Sequence, residues 1–133
     1  MLKKIALGTA IVAVALAGST PLSAQSGYVP KRTILQQTDA PGSNYTVVLA
    51  LTEIDPNMTA ARHTHPGVEI SYMLAGEADF VIDGVGTKHV KAGDNFRLES
   101  GVKHSVKNGS QLTKILAVYT IPKGAALATP APE

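Results

Sequence analysis

The chain has no cysteine. That absence excludes a disulfide framework, a thiolate nucleophile and any zinc or iron–sulfur site built on sulfur. Tryptophan is also missing and aromatic residues are few, whereas glycine and proline are plentiful. This balance suits a turn-rich β fold better than a helical bundle. There is no real surplus of charge. Twelve Lys and Arg oppose ten Asp and Glu, and two of the basic residues, Lys3 and Lys4, stand at the very start of the chain. The remainder is formally neutral, which argues against a non-specific grip on nucleic acid and gives no reason to invoke anionic lipid. A run long enough to span a bilayer is lacking too. The longest apolar stretch, Ile5 to Ala17, is 13 residues, short of the ~20 that a spanning helix needs.

That stretch has another reading. Lys3-Lys4, the apolar run, the helix-breaking Gly18-Ser19-Thr20-Pro21 and the small-x-small triplet Ala24-Gln25-Ser26 together read as a secretory signal over residues 1–26. Cleavage after Ser26 leaves Gly27 as the new N-terminus. Cleavage after Ala24 is the alternative, with Leu22 less suitable at its −3 position. The expectation is a periplasmic or secreted protein, given a bacterial source, with no stable membrane anchor.

The rest of the 133 residues is enough for one domain with one modest core. Residues 27–44 form a polar lead-in, with a possible edge strand around Thr33 to Gln36. Residues 45–121 carry short strands separated by turn signals. Tyr45–Ile54 is the first, followed by the turn Asp55-Pro56-Asn57. Ala60–His65, Ile70–Leu74, Glu77–Ile82, Thr87–Val90, Asn95–Leu98, Lys103–Lys107 and Leu112–Ile121 follow. Asp83-Gly84 marks a hairpin. Residues 122–133, rich in Ala and Pro, read as a flexible tail, disordered or loosely docked. Close, even strand spacing and the lack of a convincing helix predict an all-β fold in a single domain, an antiparallel β-barrel or jelly roll.

The stretch His63-Thr64-His65-Pro66-Gly67-Val68-Glu69 carries the chemistry. Residues two apart in a strand face the same side, so His63 and His65 can aim at one point. The Pro66-Gly67 turn can return Glu69 to it. A His-x-His pair alone is an ordinary surface feature. A following carboxylate and a later histidine, His104, make a divalent metal site the stronger reading. His104 alternates with Val106 and so faces inward. His89, between Lys88 and Val90, reads as structural or surface.

At this point the chain resembles the cupins. His63-x-His65-x-x-x-Glu69-x6-Gly76 is similar to the first signature of that family, and Gly93 with Gly101-x-x-His104-x-x-x-Asn108 to the second. The resemblance covers Tyr45 to Tyr119. Asn57 stands where the first signature opens with Gly, a position that Asn can fill at positive φ. Glu99 stands where the second usually has Pro. The resemblance narrows the fold to a single antiparallel jelly-roll β-barrel. It implies a small barrel holding one divalent transition metal on His63, His65, Glu69 and His104, with open positions left for water, dioxygen or substrate. Mn or Fe is favoured, with Ni, Zn, Cu and Co also compatible. A homodimer is implied as well, with Tyr28 to Gln37 crossing to the partner.

Strand phase nominates Ser71, Met73, Phe80 and Val106 as pocket residues, with Ala61 beside His63, and leaves Arg62 and Arg97 toward solvent. No inward lysine or second carboxylate offers itself as a base, which favours metal-centred chemistry. Three functions follow: a dioxygenase-type enzyme on a small molecule, favoured; a metal-dependent lyase, isomerase or decarboxylase; and a non-catalytic periplasmic binder of a small ligand.

Overall fold

The computed structural model describes residues 28–132. The leader expected over residues 1–26 lies outside them. The strands are β1 (Lys31–Asp39), β2 (Tyr45–Ile54), β3 (Thr59–Thr64), β4 (Val68–Ala75), β5 (Glu77–Ile82), β6 (Gly86–Lys91), β7 (Asn95–Leu98), β8 (His104–Asn108), β9 (Thr113–Pro122) and β10 (Thr129–Pro130), with no helix among the described residues. They form two five-stranded sheets, ordered β1-β2-β9-β4-β7 and β10-β3-β8-β5-β6, with every pair antiparallel. This is the expected jelly roll.

Alternation along the strands builds the core. In β2 the odd partners look outward while Thr46, Val48, Ala50, Thr52 and Ile54 are buried, and β9 repeats the pattern in Thr113, Ile115, Ala117, Tyr119 and Ile121. Facing sheets close on Met73, Phe80, Phe96 and Val106, with the two Phe rings 4.5 Å apart. Sheet-on-sheet burial of this kind supplies the main favourable term in folding.

Turn chemistry fixes the corners. Asn57 adopts φ 60°, the one positive-φ residue other than glycine among those described, and Met58 N–H closes the turn on Asp55 O at 3.2 Å. Asn108 ties that corner to the sheet. Its amide donates to Ile54 O at 2.8 Å and its carbonyl accepts from Thr113 Oγ1 at 2.6 Å.

Two segments go beyond the sequence reading. The lead-in is a nine-residue strand that pairs with β2 of its own chain from Lys31↔Glu53 to Asp39↔Thr46. The Ala/Pro-rich end, read as disordered or loosely docked, is docked through a strand pairing. β10 pairs Thr129↔Thr64 and Pro130↔His63, Ala131 N–H donates to Arg62 O at 3.0 Å, and Ala131 is buried. Backbone hydrogen bonds to an open edge of β3 hold it, so it needs no apolar periodicity of its own.

Candidate metal centre

The site begins with an irregularity in β3. Ala60 pairs with Val106 and His63 with His104, so three steps on β3 match two on β8. The extra residue is a bulge, which shifts the phase of everything after it. Ala60 and His63 therefore share the inner face, and His63 meets His104 across the strands with ring centroids 4.2 Å apart.

His65 lies just past β3 and is 2% exposed. Its carbonyl accepts from Gly101 N–H at 2.9 Å, which joins the two histidine-bearing loops. Gly67 lets the loop pass close under β9. A Cβ there would sit 1.7 Å from Thr120 O, a distance no side chain tolerates. β4 then pairs Glu69 with Leu98 on one side and Tyr119 on the other and turns its carboxylate inward, 4% exposed.

His63, His65 and His104 bring one ring nitrogen each to within 4.8 Å of one another. Every Nδ1 rests on a backbone carbonyl: Ala61 at 2.7 Å, Leu127 at 2.6 Å and Val102 at 3.0 Å. A neutral imidazole that donates from Nδ1 keeps its lone pair on Nε2, the tautomer of a metal ligand. Glu69 joins through His65, whose Nε2 stands 3.0 Å from Glu69 Oε2. With Nδ1–H spent on Leu127, a neutral His65 ring would set two acceptors face to face, a contact that either a proton on Nε2 or a shared cation relieves. Ser71 Oγ donates to Glu69 Oε1 at 2.5 Å and fixes the carboxylate plane. This donor set, all imidazole nitrogen and carboxylate oxygen, fits a divalent transition metal, and His63, His65, His104 and Glu69 are the residues that could hold it.

Electrostatics agree with that tautomer at His63 and His104. Burial, helped by the charge of His104, pushes His63 down to about 4. Burial also lowers His104. Both rings are thus neutral near pH 7. Burial works to raise Glu69, but a proton on His65 Nε2, through its hydrogen bond and charge, and the Ser71 hydroxyl outweigh it, and the carboxyl is held below its ordinary value. Burial and the Glu69 charge push the Tyr119 phenol up, so it keeps its proton.

The cluster lines a cavity of about 270 Å³ whose largely apolar walls include Ile54, Phe80, Val106 and Ile115. Phe80, Val106 and Ala61 line it as expected. Ser71 and Met73 do not. Both lie on the face of Glu69, but alternation sets a residue's face and not its depth along the barrel. Ser71 is spent on Glu69, and Met73, fully buried, belongs to the core. Arg62 corrects a further expectation, since it lines the cavity while pairing with Asp83. Arg97 is exposed and paired with Glu99, and His89 is exposed between Glu77 and Asp79. Sequence reasoning missed Arg32, Thr52 and Tyr119, and also Tyr28, Ala128 and Pro130 from the two terminal segments, which complete the wall. The β2–β9 register, Thr52↔Ile115 and Val48↔Tyr119, is the signal that could have located Thr52 and Tyr119.

Comparison with known proteins agrees with this architecture. The cupin domain family matches residues 50–119. An uncharacterized conserved protein with a double-stranded β-helix domain from Klebsiella pneumoniae superposes with a TM-score of 0.61 at 24% identity, over 81% of this chain and 89% of that one. KdgF from Halomonas sp. gives 0.59 at 15% identity, over 71% and 82%. The DMSP lyase DddQ from Ruegeria pomeroyi gives 0.59 at 21% identity, over 67% of this chain but only 44% of its own. At such identities the likeness carries the fold alone. No curated protein matches the chain in sequence. The family match spans more than half of the sequence and includes all four residues of the site, and the chain belongs to the cupin family.

Proposed function

We propose that this protein is a metal-dependent enzyme acting on a small molecule, with His63, His65, Glu69 and His104 as the metal ligands and dioxygenase-type chemistry as the favoured reaction. One observation carries the reading: three imidazoles tethered through Nδ1 converge with a buried carboxylate in the wall of an apolar cavity. Among the described residues Glu69 is the one carboxylate that lines the cavity, and no lysine does so, which supports chemistry centred on the metal. Bound there, Mn or Fe would bring dioxygen beside a coordinated substrate oxygen, and a redox-inert ion would polarise a carbonyl. The residues' own work is to aim the ligands, exclude water and hold the Tyr119 proton beside the substrate.

A second reading, a lyase or decarboxylase, is supported by that protonated phenol and by fold neighbours described as a DMSP lyase and an oxalate decarboxylase. Oxygen dependence separates the two. The metal-loaded protein is screened against small oxygen-bearing substrates in air and under argon. Uptake of dioxygen with turnover is the expected result. Turnover undiminished under argon overturns the dioxygenase reading in favour of the second, and saturable binding without turnover in either atmosphere overturns both.

We propose, given a bacterial source, that the mature protein resides in the periplasm or outside the cell, which rests on reading residues 1–26 as a secretory signal. We also propose a homodimer. The outer face of the first sheet exposes Ile70, Tyr72 and Leu74 beside Val118, an apolar surface suited to a second copy. Sedimentation as a monomer at micromolar concentration would contradict that.

A further inference from the structure

The described chain has three arginines, and two of them are paired with carboxylates, Arg62 with Asp83 and Arg97 with Glu99. Arg32 has no such partner among the described residues. Its position is set by register. Arg32 stands opposite Thr52, cross-strand partners project to the same face, and Thr52 is buried. The half-buried Arg32 side chain is thereby turned into the cavity wall. Its Nε donates to Thr52 Oγ1 at 3.3 Å, and its guanidinium carbon lies 5.9 Å from the centre of the Tyr119 ring. These contacts hold the group while leaving both Nη donors without a protein carboxylate.

A guanidinium cannot shed its charge at any ordinary pH. The other charges of the cavity make this one matter. Glu69 contributes one negative charge, and Arg62 is matched by Asp83. A divalent ion on the histidines leaves the chamber positive, and an anionic guest balances it. The planar fork of an arginine matches the two oxygens of a carboxylate. Size limits the rest of the guest. At ~30 Å³ of liquid volume per water, 270 Å³ holds a molecule of roughly ten non-hydrogen atoms. Ile54, Phe80, Val106 and Ile115 favour a compact apolar body.

We propose that the substrate is a small carboxylic acid whose carboxylate is received by Arg32, while a second oxygen, hydroxyl or oxo, is directed at the histidine cluster. This inference rests on the reading of that cluster as a metal centre. Arg32 is a substrate-binding residue and takes no part in holding the metal.

Calorimetry on the metal-loaded full-length protein tests it, comparing wild type with Arg32→Gln and Arg32→Lys. The probes are butyrate, 2-hydroxybutyrate, 2-hydroxybutyramide and inorganic phosphate, and metal content is measured on every sample. The expected result is that 2-hydroxybutyrate binds wild type at least tenfold more tightly than Arg32→Gln, with metal stoichiometry equal in the two, Arg32→Lys intermediate, and the neutral amide indifferent to the substitution. Equal acid affinity in Arg32→Gln, amide binding as tight as the acid, tighter binding of phosphate than of any carboxylate, or no carboxylate binding to wild type each overturns the proposal. Failure of the metal reading looks different. The wild type would then carry no metal, and butyrate and 2-hydroxybutyrate would bind alike while both still depended on Arg32.

Discussion

Removing residues 125–133 should cost the metal centre more than it costs the fold. The truncation leaves β9 and its partners β2 and β4 whole. It deletes β10, the Ala131–Arg62 hydrogen bond and the Leu127 carbonyl that holds His65 Nδ1 at 2.6 Å. Without that carbonyl the His65 ring is free to rotate and Nε2 loses its aim. Loss of an outer partner of a metal-binding histidine typically weakens metal affinity ~10–100-fold, equivalent to about 1.4–2.7 kcal/mol. The fold loses a few hydrogen bonds at ~1 kcal/mol net each, partly offset by the freed conformational entropy of the segment. The melting temperature should fall by no more than about 10 °C. Competition with a chelator, beside thermal melts, measures both quantities. Metal affinity within twofold of the full chain would refute the role given to Leu127. Complete unfolding would refute the claim that the segment serves the site more than the core.

Other perturbations follow from single residues. Asn57→Gly should match wild type in urea, whereas Asn57→Ala, forced to φ 60°, should lose about 1–2 kcal/mol; equal midpoints would show that the turn relaxes. Gly67→Ala places a methyl 1.7 Å from Thr120 O, so the loop must shift at a cost of ~1–3 kcal/mol or more, and metal binding should fall with stability; a wild-type melt with full metal would contradict the packing. His89 is raised above 6.5 by its hydrogen bond to Asp79, with Glu77 adding to it. The folded chain thus favours the protonated ring, so this stabilisation is complete below 6.5 and fades as pH climbs through the higher folded value. Urea midpoints between pH 5 and 9 for wild type and His89→Gln should converge toward the alkaline end, and an NMR titration of the His89 ring at or below 6.5 would sink the argument.

Where burial alternates with period two, the sequence was a good guide. Tyr45–Ile54, Glu77–Ile82 and Asn95–Leu98 were read with the boundaries they have, because one face of each meets the core. His104 was legible for the same reason. His63 faces inward for a reason that sequence does not display: the bulge after Ala60 resets the phase, and a plain alternating strand starting from a buried Ala60 would have sent Arg62 inward instead. β1 was only half visible because it is an edge strand with most residues exposed, held by backbone pairing rather than by an apolar stripe. For the C-terminal end the sequence leaves docking and disorder equally open, since a two-residue bridge to β3 leaves no compositional trace. Arg32 was invisible because its inward direction comes from its register with Thr52, a long-range fact.

The central claim is that four side chains gathered by β3, β4 and β8 hold a metal. The mature protein, purified without added metal, should carry one equivalent of a divalent transition metal, or take one up, as read by mass spectrometry, and His63→Ala/His104→Ala should carry none while keeping its β-sheet circular dichroism. A wild type that stays empty and cannot be loaded, or a double variant that still binds one equivalent, would contradict the account.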